Sequence, residues 1–300
     1  MSRVQLLGLC RFSYPTALDG FSVLGTDAAR NRARLYDPAR LALRFWFFER
    51  ICLPSLAAQQ DPEFTVLLLH DAALPEPWLT RLRDAIAPLP QVVAVPRPAG
   101  LPHKGTCRDI LRAARDPQAR AVAEFTIDDD DALAVDFTAR TRAAFGVLRP
   151  LWRDVGRTAV DFNSGLVLRA TGGLAERRAE GAPTATPPAM PPQPRLGVEP
   201  VQAHLWAPGT AIYHRPRSTR SIQDFNHRRL WSRIPTLSLP EPVMYLRGAH
   251  GTNDSNVARA RPTGEAGQDV ASEQGAQVLR DRFGLDLDAL LRDWVRVGTP

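Results

Sequence analysis

Short apolar runs at residues 4–9 (VQLLGL), 64–70 (FTVLLLH), 91–96 (QVVAVP) and 121–127 (AVAEFTI) alternate with amphipathic stretches through the first half of the chain. This alternation constrains the fold most, because strands separated by helices pair in parallel and bury both faces of a sheet. The intervening stretches predict helices over 38–58, 76–87 and 106–114, with Pro54 placed to kink or divide the first. A further helix is predicted over 136–148, then an apolar strand-like segment over 158–170. The expectation is an α/β fold with a mainly parallel central sheet flanked by helices.

The alternation ends near Gly172. Residues 171–200 contain the run PTATPPAMPPQP, a composition that buries no core and reads as a Pro-rich mobile insertion or tether. Beyond it, VQAHLW (201–206) and TAIYH (210–214) predict strands. SIQDFNHRRLW (221–231) predicts a helix capped by Ser218 or Ser221, and VMYLRG (243–248) a last strand. Helical pieces over 272–283 and 287–297 close the chain as a C-terminal tail.

At 300 residues, with 44% hydrophobic residues and six tryptophans, the chain is long and apolar enough to bury a core without staples. No run of 18 apolar residues spans a bilayer, and the apolar start lacks a signal-peptide pattern. The expectation is therefore a cytoplasmic protein, with peripheral contact at the inner membrane face allowed by its charge. A net charge of +6 favours anionic partners. There are 37 arginines but one lysine, Lys104, so a compositional bias is at work and a single arginine carries little information. Cys10, Cys52 and Cys107 form no CxxC pair and read as buried reduced thiols. No Walker loop, GxGxxG, GxSxG or HExxH is present.

The most informative motif is FTIDDDDALAVDF, an apolar strand running directly into Asp128, Asp129, Asp130 and Asp131. Open α/β sheets bind ligands at the carboxyl ends of their strands. Like charges at about 4 Å repel by about 1 kcal/mol in water and about 4 kcal/mol at an effective dielectric near 20, so a cluster of ionised aspartates calls for a cation. Hard carboxylate oxygens suit Mg²⁺ or Mn²⁺, which commonly complete their shells with substrate phosphates. The competing reading is a solvated acidic turn, with Asp131 or Asp136 capping the next helix.

Several segments together carry a resemblance. A first strand ending in Cys10-Arg11, the helix ERICLPSLAAQQDPEF and the IDDDD turn resemble a GT-A type glycosyltransferase. GLCRFSY, ICLPSLAAQQDPEFTVLLL, IDDDD, DFN and RGAHGTNDS in that order resemble a bacterial rhamnosyltransferase family, over roughly residues 4–256 with 171–200 unplaced.

The resemblance implies a GT-A-like nucleotide-diphospho-sugar transferase fold. Residues 1–170 would form the half that binds the nucleotide-sugar donor, 201–260 the acceptor side, and 261–300 a helical tail. The family's Asp-x-Asp-Asp pattern maps onto Asp128, Asp130 and Asp131, with His250 as a further metal ligand or a group that orients a phosphate. Asp71 matches an acidic position that contacts the nucleoside base, and equally suits a turn cap before Pro75. Arg11, Lys104 and Arg108 stand where phosphate and ribose groups are expected. An inverting transfer needs a general base, which Asp or Glu usually fits, with Asp161, Asp224 and Asp254 as candidates and Asp254 favoured by its polar loop; Asp161 equally suits a buried structural role. Trp206 and Tyr213 offer a platform for a sugar face, and the basic stretch HRPRSTRSIQDFNHRRLWSR either an anionic contact or a solvated surface.

The implied partners are a nucleotide-sugar donor and a glycan or lipid-linked acceptor, with no nucleic acid. Two other classes compete. A sugar nucleotidyltransferase would carry a Gly-rich basic loop near the first strand, and GLCRFSYP is poor in glycine. A non-catalytic protein binding nucleic acid or an anionic membrane surface would be opposed by the acidic strand end.

Overall fold

The computed structural model describes residues 3–16, 28–172, 195–250 and 273–298. The first half runs β1 (Val4–Phe12), α1 (Ala28–Leu35), α2 (Pro38–Phe47), α3 (Leu53–Ala57), β2 (Thr65–Asp71), α4 (Trp78–Ile86), β3 (Val92–Arg97), α5 (His103–Ala113) and β4 (Ala121–Asp128). There follow β5 (Ala132–Leu133), α6 (Phe137–Val155), β6 (Arg157–Phe162), β7 (Ser164–Thr171), β8 (Arg195–Gln202) and β9 (Thr210–His214). The chain ends with β10 (Thr236–Leu239), β11 (Tyr245–Ala249), α7 (Glu273–Phe283) and α8 (Leu287–Gly298).

Seven strands form the central sheet in the order β10-β6-β9-β4-β1-β2-β3. All are mutually parallel except β9, which runs antiparallel to both β4 and β6. The mainly parallel α/β architecture expected from the sequence is therefore present. β1 and β4 sit at the centre and are buried on both faces, as their unbroken apolar runs require. β3 is buried only at Val92 and accommodates Pro96, which an edge strand tolerates. A second sheet, ordered β5-β11-β7-β8, packs beside the first. Among the described residues no helix is long and apolar enough to cross a membrane.

Pro54 does divide the predicted 38–58 helix. Asp37 caps its start by accepting from the Arg40 N–H at 2.9 Å, and the division begins at a π-helical turn over Phe48–Cys52. Proline supplies no N–H and crowds the carbonyl four residues back, so the backbone widens ahead of it. α6 outruns its predicted end and stops where Gly156 takes φ +78°, a left-handed cap.

Four expectations need correction. The 158–170 segment is two strands in different sheets, parted at Asn163, whose N–H donates to Leu239 O and whose carbonyl accepts from Ala203 N–H. Residues 195–200 of the expected insertion lie in β8, where Leu196, Val198 and Val201 are buried; residues 173–194 lie outside the described residues. VQAHLW supplies only the end of β8 before a turn with Leu205 at φ +59°. The predicted 221–231 helix is two short 3₁₀ turns, Ile222–Asp224 and His227–Ser232. Ser221 caps the first as expected, but Phe225 is extended and Asn226 starts a new turn by accepting from Arg228 N–H, so no α-helix propagates.

Candidate active site at the acidic strand end

Parallel pairing brings the carboxyl ends of β1, β2, β4 and β6 to one edge of the central sheet. Arg11 in β1 is the register partner of Asp128 in β4. Immediately beyond, the Asp131 N–H donates to Asp128 O at 3.1 Å and closes a tight turn. That turn sends the four carboxylates in different directions. Asp128 faces Arg11, with 3.2 Å between Oδ1 and Nη2. Asp129 turns inward to Arg44 and accepts from its Nε at 3.1 Å. Asp130 Oδ2 accepts from Arg44 Nη1 at 2.9 Å and lies 3.0 Å from His250 Nε2. Asp131 Oδ1 accepts from the Gly248 N–H at 3.1 Å.

One carboxylate oxygen each from Asp128, Asp130 and Asp131 lie within 4.8 Å of one another. Asp129 stands outside this set, engaged with Arg44. Asp131 Oδ2 is buried with no hydrogen-bond partner, an arrangement that costs free energy unless a cation meets it. Three hard oxygen donors with one orphaned lone-pair site fit a divalent cation such as Mg²⁺ or Mn²⁺.

The local field separates the carboxylates. Burial raises the Asp131 carboxyl well above the usual range, and the neighbouring Asp130 charge adds to this. Burial also works to raise Asp130, but Arg44 and His250 outweigh it and hold that carboxyl below its ordinary value. Burial lowers the His250 imidazole against the pull of Asp130. Arg247 in β11 faces Asp131, Asp128 and Asp130, which together outweigh its burial and strengthen its charged form; its guanidinium lies 4.8 Å over the Trp206 ring.

A cleft of about 500 Å³ opens onto this cluster, with Arg11, Lys104, Asp128, Asp130, Trp206 and Arg247 among its lining residues. Lys104 projects from the first turn of α5, where unpaired backbone N–H groups favour anions. The residues expected from the sequence divide accordingly. Arg11, Lys104, Asp128 and Asp130 meet at the cleft, Asp131 joins the carboxylate set, and His250 touches Asp130.

Of the other expected residues within the described structure, Trp206 alone lines the cleft. Asp71, at the end of β2, is buried and accepts from the Tyr36 hydroxyl and, at 2.9 Å, from Ala73 N–H, the turn-capping arrangement. Arg108 is paired with Asp224 at 3.4 Å and Asp109 at 3.5 Å, away from the cleft lining. Asp224 in turn accepts from Ser221 N–H. Asp161 is fully buried and accepts from Leu205 N–H at 2.8 Å and the Ser238 hydroxyl at 3.1 Å. Asp254 lies outside the described residues. Trp206 lines the cleft, whereas Tyr213 is a core residue whose hydroxyl donates to Thr141 O.

Sequence reasoning missed Arg44, Arg247 and His103. His103 Nε2 lies 3.2 Å from Arg11 Nη1 and helps place it. Among 37 arginines neither Arg44 nor Arg247 stands out, although Arg247 falls inside the RGAHGTNDS segment.

No curated protein sequence matches the chain. Among solved structures it is similar to S. aureus TarS 1-349 in complex with UDP, at 12% identity and TM-score 0.38, covering 82% of this chain and 61% of that one. The chain thus spans less than two thirds of the TarS length. The same TarS fragment in complex with UDP-GlcNAc gives 12% identity and TM-score 0.38, over 92% of this chain and 65% of that one. A protein from Desulfovibrio desulfuricans G20 described as a "putative nucleotide-diphospho-sugar transferase" gives 12% identity and TM-score 0.33, over 98% of this chain and 99% of that one. The family model described as "Putative rhamnosyl transferase" matches residues 5–186 and 189–262, and the chain belongs to that glycosyltransferase family.

Proposed function

We propose that the protein transfers a sugar from a nucleotide-diphosphate donor to a hydroxyl group of a glycan or lipid-linked acceptor, with inversion, and that a nucleotide-activated rhamnose is the first donor to test. The observation that carries this reading is the convergence of Asp128, Asp130 and Asp131 at the carboxyl edge of the sheet, facing a cleft that also presents Arg11 and Lys104. A divalent cation held by the three aspartates, with His250 beside Asp130, supplies charge neutralisation to the leaving diphosphate when bound. Arg11 and Lys104 orient the phosphates, and Arg247 holds the carboxylates in place from the opposite wall. Asp71 fixes the end of β2 beside the nucleoside, and Arg108 reaches the cleft only on releasing Asp224.

A metal-independent form of the same transfer is the second reading, favoured by the pairing of Arg44 with Asp129 and Asp130. In that form the arginines alone balance the carboxylates. The two separate by thermal denaturation with a panel of uridine, guanosine and thymidine diphosphates, with and without Mg²⁺ or Mn²⁺, on wild type and Asp130→Asn. Ligand at 100 times its dissociation constant stabilises by about 2.7 kcal/mol. Stabilisation that needs nucleotide, cation and Asp130 together supports the metal-dependent donor site. Stabilisation by nucleotide alone supports the second reading, and none with any nucleotide removes both.

A further inference from the structure

Asp161 and Asn163 flank the end of β6, two strands from β4 in the central sheet. Asp161 pairs with Thr210, and Ala211 with Phe125, so Asp161 stands about 10 Å across the sheet from β4, close beneath the level of the acidic turn. Its side chain is fully buried, whereas the imidazole it meets is not. His204 Nδ1 lies 3.3 Å from Asp161 Oδ2, and the His204 side chain is 50% exposed. The Asp161 carboxylate also accepts from Leu205 N–H and the Ser238 hydroxyl. An ionised carboxylate only accepts, so the His204 proton sits on Nδ1 and the Nε2 lone pair faces away from the buried partner. Asn163 Nδ2 lies 2.9 Å from the same Nδ1, and a proton on Nδ1 requires this amide to be turned so that its oxygen faces the ring.

The second element of the arrangement is Trp231. It is 51% exposed, an unusual state for a residue that buries so much apolar area, and its ring packs edge-on to His204 with 4.9 Å between centroids. The preceding residue, Leu230, and His227 and Arg228 line the cleft. Trp206, two residues after His204, lines the same cleft and stacks under Arg247. A flat aromatic face beside a carboxylate-oriented imidazole, next in the chain to residues that line the donor cleft, suits a pyranose ring: its apolar face covers the indole and its hydroxyls meet the polar groups.

We propose that Trp231 and His204 form the acceptor subsite, which takes a carbohydrate ring and uses His204 Nε2 as the proton acceptor, with Asp161 as the positioning residue. This proposal rests on the glycosyl-transfer reading above. In the step it describes, the acceptor hydroxyl proton passes to His204 Nε2 while that oxygen forms the new bond to the anomeric carbon. The bond from that carbon to the diphosphate oxygen breaks, and its electron pair leaves with the nucleoside diphosphate. A fully buried Asp161 does not reach an acceptor directly, but it holds the imidazole in one tautomer and orientation.

The test reads nucleoside-diphosphate release from a panel of nucleotide sugars, including a nucleotide-activated rhamnose, with methyl glycosides as acceptor probes. Both His204 and Trp231 are half exposed, so their substitution leaves the fold intact by far-UV circular dichroism. His204→Ala is expected to lower kcat by about 100-fold or more, with partial recovery in added imidazole and an unchanged thermal response to nucleotide. Trp231→Ala is expected to raise KM for the methyl glycoside about tenfold and leave KM for the donor unchanged. Asp161→Asn is expected to lower kcat with both KM values unchanged. Wild-type turnover in His204→Ala, or loss that imidazole does not restore, overturns the assignment of the base.

Binding of labelled protein to a glycan array needs no donor and separates this proposal from the donor reading. Array binding that is lost in Trp231→Ala and kept in Asp130→Asn supports the subsite. A wild type that binds no glycan, or a Trp231→Ala variant that binds as wild type does, overturns it even where the nucleotide response stands.

Discussion

Gly248 and Asp130 are in direct backbone contact: a Cβ on Gly248 would overlap the carbonyl oxygen of Asp130 and crowd its Cβ at 3.0 Å. The Gly248 N–H meanwhile donates to Asp131 Oδ1. β11 of the smaller sheet thus lies flush against the turn that ends β4 of the central sheet, and this close approach shapes the carboxylate cluster. Arg247, one residue earlier on the same strand, faces the three carboxylates.

Gly248→Ala is therefore expected to push β11 away from the acidic turn, because the clashing atom is backbone and does not swing aside. The overpacking should cost about 1–3 kcal/mol, read as a lower urea midpoint at unchanged m-value. The same variant should lose most of the nucleotide-induced thermal shift. A stable variant with the full shift would show that the contact is not needed to hold the site.

Arg44 pairs with both Asp129 and Asp130, and its side chain is only 10% exposed. Arg44→Ala leaves two buried carboxylates without it and should destabilise by about 3–5 kcal/mol. Mg²⁺ should raise the melting temperature of this variant more than that of wild type, since a divalent ion replaces part of the missing charge. Equal Mg²⁺ effects on the two proteins would argue that the carboxylates do not take the ion.

Arg115 and Glu124 form a second buried pair, with side chains 2% and 0% exposed. Arg115 donates to Glu124 Oε1 at 2.6 and 2.8 Å and to the carbonyls of Ser218 and Arg220, while Glu124 Oε2 accepts from Ile222 N–H. The network ties the end of α5, β4 and the segment before the 3₁₀ turns. Arg115→Ala should cost about 3–5 kcal/mol, and the double change Arg115→Met with Glu124→Leu less than either polar truncation alone. A double-mutant cycle in urea checks the coupling.

Asp136 joins α6 to the C-terminal α7 through Arg282, whose Nη2 donates to its Oδ1 at 2.7 Å, and it also meets Arg140. Burial works to raise this carboxyl, but hydrogen bonds and charge from Arg282 and Arg140 outweigh it and hold it below its ordinary value. The unfolded chain then binds the proton more readily, so this contribution is present above about pH 4 and is lost as pH falls through the folded-state value. Screening through the partly exposed Arg140 and Arg282 limits the contribution to about 1 kcal/mol. The melting temperature of Asp136→Asn should fall less steeply between pH 5 and pH 3 than that of wild type. Parallel slopes would assign the acid sensitivity to other carboxylates.

The sequence by itself determined the alternation of β1, β2, β3 and β4 with helices, the helix that follows the acidic turn, the position of that turn at a strand end, and the division of α2 from α3 ahead of Pro54. These are local properties: hydrophobic period, missing N–H groups and cap chemistry act over a few neighbouring residues. Where short-range signals conflicted the reading failed, as at Asn163, where one apolar run serves two sheets, and at Phe225, where two caps lie too close for a helix. The tertiary structure alone decided which residues meet. Arg44 reaches Asp129 and Asp130 across more than eighty positions, Gly248 reaches Asp131 across more than a hundred, and His204 finds Asp161 through a turn beyond the Pro-rich segment. Nothing in the spacing of 37 arginines distinguishes those at the carboxylates. Long-range pairing does so, because burying several like charges at one strand end is stable only where the folded chain brings opposite charge and hydrogen-bond donors to the same place.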